Sequence, residues 1–398
     1  MHLNTARKGL LILFVFCARL ASAQNDTISR MKLVFAGDIM GHGPQITAAT
    51  VEKDKVFDYT PCFQFVEPIL KDADLAIGNL ELTLPGKPPY TGYPTFRSPD
   101  DLALALRTAG FNLLVTSNNH SNDSGLNGVT KTIKTLQNYG FYQTGTFLDS
   151  LHRAALYPLL VYKDHFKLAF LNYTYGTNGL PTPAPAVVNL IDENAIREDL
   201  RVAKELNPDF IIVLFHWGNE YQINESESQR KLAQKAFEWG ADLVIGAHPH
   251  VVQPIKTIKF KRPGQDSLTG VVAYSLGNFI SAQKQTYTDL GLMVEVTLEK
   301  HLPSNATRLA DHAYLPVFRY IHRDAQGKSQ YYTLPVSAFE AEKALLPLPI
   351  PAATLQHMRT TADAIRKHLN KFGGKERRVG SEVFPSKPDP APEPASNN

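Results

Sequence analysis

At 398 residues the chain can bury a full core as one large domain or two, and its 43% hydrophobic and 20% charged residues match soluble globular averages. That composition excludes bulk disorder and a multi-span membrane protein. The net charge of +3 is small and the one tight basic cluster is KERR (375–378), so no nucleic-acid function is read from it.

The first residues read as an export signal: Arg7 and Lys8, the apolar run GLLILFVFC (9–17), then Ala21, Ser22 and Ala23 as a small-x-small cleavage site. The run is short for a membrane span and Arg19 interrupts it, so cleavage after Ala23 is expected rather than an uncleaved anchor. Val15 and Phe16 before Cys17 do not suit lipidation. After cleavage Cys62 is the sole cysteine, which excludes an intramolecular disulfide.

From Met31 to about Phe147, short β-like runs alternate with amphipathic segments: CFQFVEPILKDA (62–73), DDLALALRTAG (100–110) and GVTKTIKTLQNYG (128–140), the last two closed by Gly110 and Gly140. This is the β-α-β rhythm of a mostly parallel sheet with covering helices. The runs AALYPLLVY and FKLAFLNY between Ala155 and Tyr173 predict a hairpin. A Pro-rich loop (181–186) precedes a helix from about Glu193 to Leu206, ended by Asn207 and Pro208. Strand DFIIVLF, helix 227–240 and strand ADLVIG make a second β-α-β unit. From Val251 onward β-rich runs dominate, and two packed sheets, one contributed largely by this second half, accommodate them. A last helix is expected from Ala353 to Phe372. The expected organisation is an export signal over 1–23, a main domain over 31–340, a helical segment over 341–372 and a disordered tail over 373–398, rich in Pro, Ser, Lys and Glu.

Metal-ligand side chains close nearly every apolar run: Asp38 in KLVFAGD (32–38), Glu81 in ADLAIGNLE (73–81), Asn119 and His120 in NLLVTSNNH (112–120), His216 in DFIIVLFHWG (209–218), His248 and His250 in ADLVIGAHPH (241–250). Loops leaving the carboxyl ends of strands converge on one sheet edge, where ligands bind. Taken singly each signal is weak: Asp38 suits a turn cap, Glu81 a solvated loop acid, His216 a structural histidine, and Glu220 a surface acid. Their joint occurrence on equivalent strand ends points to a shared site. Carboxylates, an amide oxygen and imidazoles without thiolate suit two hydrolytic divalent ions rather than a structural zinc. His120 is placed to stabilise charge or a leaving group, and Glu220 to donate a proton or orient a ligand. His42, four residues beyond Asp38, reads equally as a further ligand or a surface histidine. Neither a G-x-S-x-G elbow nor a P-loop is present.

The motifs GDIM (37–40), GNLE (78–81), FRSP (96–99), AGFNLLVTSNNHSNDSGLNG (109–128), FHWGNEY (215–221), GAHPHVVQP (246–254) and SLGNF (275–279) resemble, in order, the CapA family of poly-γ-glutamate capsule biosynthesis proteins, relatives of the calcineurin-like metallophosphoesterases. The resemblance implies a four-layer αββα sandwich and an exported, periplasmic or envelope-associated role in a bacterium. It implies Asp38, Glu81, Asn119, His216, His248 and His250 as ligands of two divalent ions (Mn, Zn, Fe or Mg) and His120 as a catalytic or charge-stabilising group; outside the resemblance, Glu220 is a further catalytic candidate and Arg97 and Asn278 are candidate substrate contacts. An anionic exopolymer or other envelope substrate and membrane capsule-synthesis machinery are the implied partners. The chain departs from the phosphoesterase pattern at Met40, where Asp-x-His would place histidine, and at Asn79 and Glu81, where the second motif carries Asp. One metal position is therefore expected to be differently ligated, with His42 as a possible substitute. Three functions remain open: a metal-dependent hydrolase or transferase, a non-catalytic polymer-binding assembly or export factor, and a secreted phosphoesterase.

Overall fold

The computed structural model describes residues 27–51, 56–340, 348–380 and 384. The export signal expected over 1–23 lies outside the described residues. Among those residues no helix is long and apolar enough to cross a membrane.

Strands β1 (Ile28–Ile39), β2 (Leu75–Leu80), β3 (Leu113–Val115) and β4 (Tyr142–Thr144) lie parallel to one another in that order, linked through helices that include Asp101–Ala109 and Gly125–Asn138. The chain then builds a second sheet. The hairpin β5 (Leu159–Lys163) and β6 (Phe166–Thr174) is followed by β7 (Phe210–His216), β8 (Leu243–Ala247), β9 (Ile255–Arg262) and β10 (Gln265–Ala273), in the order β9-β10-β8-β7-β6-β5. Finally β11 (Asn278–Ile280) pairs with β1 in parallel, and β12 (Leu290–His301), β13 (Ala306–Arg323) and β14 (Ser329–Pro335) extend the first sheet antiparallel beyond β1.

Side-chain alternation sorts the layers. In the second sheet Leu168, Phe170, Ile212, Leu214, Leu243 and Ile245 join the core that also holds Phe35 and Ile77 of the first sheet. Their neighbours Ala169, Leu171, Ile211, Val213 and Val244 face the other way, onto Leu200 of helix Glu193–Glu205 and Phe237 of helix Glu227–Trp239. A strand buried on both faces reads as a continuous apolar run, as DFIIVLF does. Helices outside both sheets complete the expected four-layer αββα sandwich.

Four local expectations change. CFQFVEPILKDA is two short helices, Thr60–Phe63 and Glu67–Lys71, because Pro68 has no N–H to continue a helix and starts a new one. Ala155 and Leu156 end a helix, Ser150–Leu156, capped by Asp149 accepting from His152 N, so the hairpin begins at Leu159. The strands after Val251 divide between the sheets: β9 and β10 close the second, and β11 to β14 return to the first. The tail expected to be disordered from 373 is held at its start, where Tyr314 N donates to Lys375 O and Arg377 N to Tyr314 O, both at 2.8 Å. Arg366 pairs with Glu376 at 2.7 Å in the same place, and Val379 is buried in the core with Phe384 packed against it.

One distortion aims the site. Between the pairs Ala36↔Gly78 and Asp38↔Asn79, β1 carries Gly37 as an extra residue, a bulge of the kind that redirects a side chain. A Cβ at Gly37 would lie 1.9 Å from Gly277 O, the atom that accepts from Asp38 N at 2.9 Å. Gly37→Ala is expected to cost about 1–3 kcal/mol through overpacking; urea unfolding of the variant beside the wild type measures it.

Candidate metal centre

The carboxyl ends of β1, β2, β3, β7 and β8 meet where the two sheets face each other. Asp38 is fully buried and accepts from Asn79 Nδ2 at 2.8 Å and from His248 N at 3.3 Å, with His250 Nδ1 at 3.1 Å. Asn79 also reaches His216 Nδ1 at 3.2 Å, and the other nitrogen of that ring, Nε2, lies 2.8 Å from Asn119 Oδ1. Asn79 is thus a tie between β1 and β7.

The Gly-x-His-Pro-His turn holds both imidazoles in left-handed backbone, with φ of 100° at His248 and 59° at His250. Such conformations cost about 1–3 kcal/mol each in residues with side chains and persist where surrounding structure over-determines them. Here Tyr221 N donates to Pro249 O at 2.8 Å and Ser275 Oγ to Val251 O at 2.8 Å. Tyr175 lies against His248, with ring centroids 4.6 Å apart.

Glu81 lies at the centre. It is fully buried, neither carboxylate oxygen has a hydrogen-bond partner, and Oε1 is 3.5 Å from His216 Nε2 and 3.8 Å from His250 Nε2. His248 Nδ1 is likewise buried without a partner. Glu81, His216 and His248 form one group whose ligand atoms lie within 4.8 Å of one another; Asp38, Glu81 and His250 form a second, sharing Glu81. Burial, then the neighbouring Asp38, pushes the Glu81 carboxyl well above its ordinary range. Burial, then His248, holds His216 well below the usual imidazole range, and burial, then His250, lowers His248 to about 3. Neutral imidazoles are the ligand form, and buried donors without partners fit a bound cation better than an empty core. The residues therefore fit two divalent ions.

His120 is outside these groups. Its Nδ1 is 2.6 Å from Asp123 Oδ2, which also accepts from Phe96 N at 2.6 Å, and its N donates to Asn118 Oδ1 at 3.0 Å. His120 lines an open cavity of ≈ 500 Å³ together with Met40, His42, Phe96, Tyr93, Glu220, Tyr221, His250 and residues 282–285. Glu220 stands exposed at this mouth, in a third ligand-distance group with His248 and His250.

Neither Arg97 nor Asn278, the expected substrate contacts, is among the residues lining this cavity. Arg97 turns its Nε onto Pro89 O, 3.1 Å away, and does not line the cavity. Asn278 is 2% exposed, and its amide is committed to His250, Gln283 and Thr288. His42 does not take the place left by Met40: it belongs to none of the ligand groups found among the described residues, and its Nδ1 faces Gln45 Oε1 at 3.2 Å and Ala282 N at 3.3 Å. Three contributors were not among the expected site residues. Asn79 shows in the sequence as a departure, Asp123 only as a polar turn residue three positions after His120, and Tyr175 carries no signal.

The pattern that defines the bacterial capsule synthesis protein family PGA_cap matches residues 32–283, from the first strand to the cavity wall. The chain belongs to this family. The chain is similar to the PGA biosynthesis protein CapA of Bacillus subtilis (strain 168), 28% identical over 278 residues covering 67% of each chain, and to the capsule biosynthesis protein CapA of Bacillus anthracis, 28% identical over 264 residues. The latter alignment covers 63% of this chain and 59% of that protein, so the chain spans less than two thirds of its length. Among solved structures, the NAD nucleotidase of Haemophilus influenzae aligns at 13% identity with a TM-score of 0.46, covering 85% of this chain and 60% of that one. The calcineurin-like phosphoesterase YfkN of Bacillus subtilis aligns at 14% identity and 0.42, covering 85% and 99%. The sandwich stands on this chain's own sheets and helices, and likeness at these scores says nothing of its activity.

Proposed function

We propose that this protein is an exported, metal-dependent hydrolase or transferase of the bacterial cell envelope, acting on an anionic capsule-type polymer at a dinuclear centre. The observation that carries this reading is the unpartnered, fully buried Glu81 carboxylate shared by two groups of ligands. Asp38, Glu81, Asn119, His216, His248 and His250 would hold the ions. Divalent ions there supply Lewis acidity toward the scissile group and acidify water. The chain's own contribution is orientation and proton handling. Asp123 fixes His120 through Nδ1, which leaves Nε2 to exchange a proton with the leaving group. Tyr93, Tyr221 and residues 283–285 wall the cavity in which the substrate is held. Family membership supports the polymer, and the N-terminal sequence supports export.

The test is a turnover screen of the chain from Gln24 onward, loaded with Mn²⁺ or Zn²⁺, against poly-γ-glutamate and a panel of phosphate esters. Cleavage or transfer on the polymer, lost in His248→Ala, is the expected result. The replacement of a histidine by Met40 favours a second reading, a polymer-binding factor. Saturable polymer binding with no bond broken under either metal would replace the first reading with it.

A further inference from the structure

Asn278 links two parts of the molecule that the proposed chemistry uses separately. Its Nδ2 donates to Gln283 Oε1 at 2.7 Å and to Thr288 O at 2.9 Å. Two acceptors on one side settle which end of the amide is nitrogen, so Oδ1 is the atom 3.1 Å from His250 Nδ1. That amide oxygen can only accept, and Asp38 Oδ2 is a second oxygen 3.1 Å from Nδ1. The ring proton of His250 therefore sits on Nδ1. Nε2 keeps its lone pair on the side of Glu81 Oε1, 3.8 Å away.

Gln283 stands at the other end of this chain of contacts, on the cavity wall, with its Nε2 3.5 Å from Tyr221 Oη. Its carbonyl accepts from Arg319 Nη2 at 2.9 Å, and Arg319 N donates to Asp289 O at 2.8 Å, which clamps the segment carrying Gln283 from behind.

We infer that Asn278 and Gln283 are positioning residues for His250, fixing its imidazole in the Nδ1–H form and tying it to the wall of the substrate cavity. An oxygen that accepts the second ring N–H of a metal-binding histidine orients the ring and raises its basicity, and removing it costs about 10- to 100-fold in metal affinity. The inference rests on the proposed role of His250 as a ligand.

The test uses the full chain and two readouts: ¹⁵N NMR of the His250 ring nitrogens without metal, and titration with Mn²⁺. The wild type is expected in a single Nδ1–H form. Asn278→Leu should weaken Mn²⁺ binding by about 10- to 100-fold, and Gln283→Leu by a smaller factor because Thr288 O still holds the amide. Gln283→Glu keeps the acceptor for Asn278 Nδ2 and should retain at least wild-type affinity. If Asn278→Leu does not fold, the partly exposed Gln283 pair decides: equal affinity in Gln283→Leu and Gln283→Glu overturns the inference, as does a wild-type His250 protonated on Nε2. If the wild type binds no Mn²⁺, the proposed function fails, and the NMR form alone then upholds or overturns the positioning role.

Discussion

Glu81→Gln is expected to abolish high-affinity metal binding and, in the metal-free protein, to raise the melting temperature. In the absence of a cation the wild-type carboxylate is buried with no donor to either oxygen. An unsatisfied buried group costs about 1–3 kcal/mol and a charged one more. An amide at the same place never has to hold a proton against the solvent pH and can donate to the free lone pair of His250. The effect has a defined pH dependence. Because burial and Asp38 raise the Glu81 pKa in the folded state, the folded metal-free chain keeps a proton that the unfolded chain releases above its ordinary pKa of 4.5. Stability is therefore lost as pH rises above that value, and the advantage of Glu81→Gln should be larger at about pH 8 than at about pH 5. His216 and His248 act in the opposite sense. Their folded pKa values lie below the ordinary 6.5, so their share of stability is complete above pH 6.5 and drains away as the pH falls below it, for His248 toward about 3. Thermal melts of chelator-treated wild type and variant at both pH values measure the difference; a variant no more stable than wild type at either would contradict the assignment.

His120→Gln is expected to lower kcat by about 10²- to 10⁴-fold, the usual share of a general acid or base, while leaving two ions bound. His120 belongs to none of the ligand groups among the described residues, and Asp123 Oδ2 and Asn118 Oδ1 hold its ring and its backbone N–H. Asp123→Asn should act in the same direction with a smaller loss, since it frees the ring without removing it. Kinetics paired with metal analysis of each variant provide the check. Loss of metal together with activity would move His120 into the ligand set and remove its catalytic assignment.

Much of the candidate site could be read along the chain because its side chains directly follow apolar runs of strand length, as in KLVFAGD and ADLVIGAHPH. Parallel strands place their carboxyl ends together, so a local pattern carried a long-range consequence. What the pattern left out depends on which oxygen meets which nitrogen. Asn79 looks like a weakened ligand in the sequence, yet its amide bridges Asp38 and His216 across the two sheets. Glu81, two residues on, becomes the shared carboxylate. Arg97 attracts a substrate role by its charge, and its Nε donates to Pro89 O, a carbonyl of its own loop. The return of Leu290–His301 to pair with Ile28–Ile39 spans most of the chain, and periodicity within a strand says nothing about its partner. The broken helix at Pro68 was available from the residue itself, since proline cannot donate to the turn before it.

The central claim is a dinuclear site organised around Glu81, and metal content of the purified chain tests it most directly. Wild-type protein from Gln24 onward, loaded with Mn²⁺ or Zn²⁺ and desalted, should retain about two ions per chain. Asp38→Ala and His248→Ala should each retain fewer. A wild type that retains neither ion would contradict the account, whatever polymer it binds.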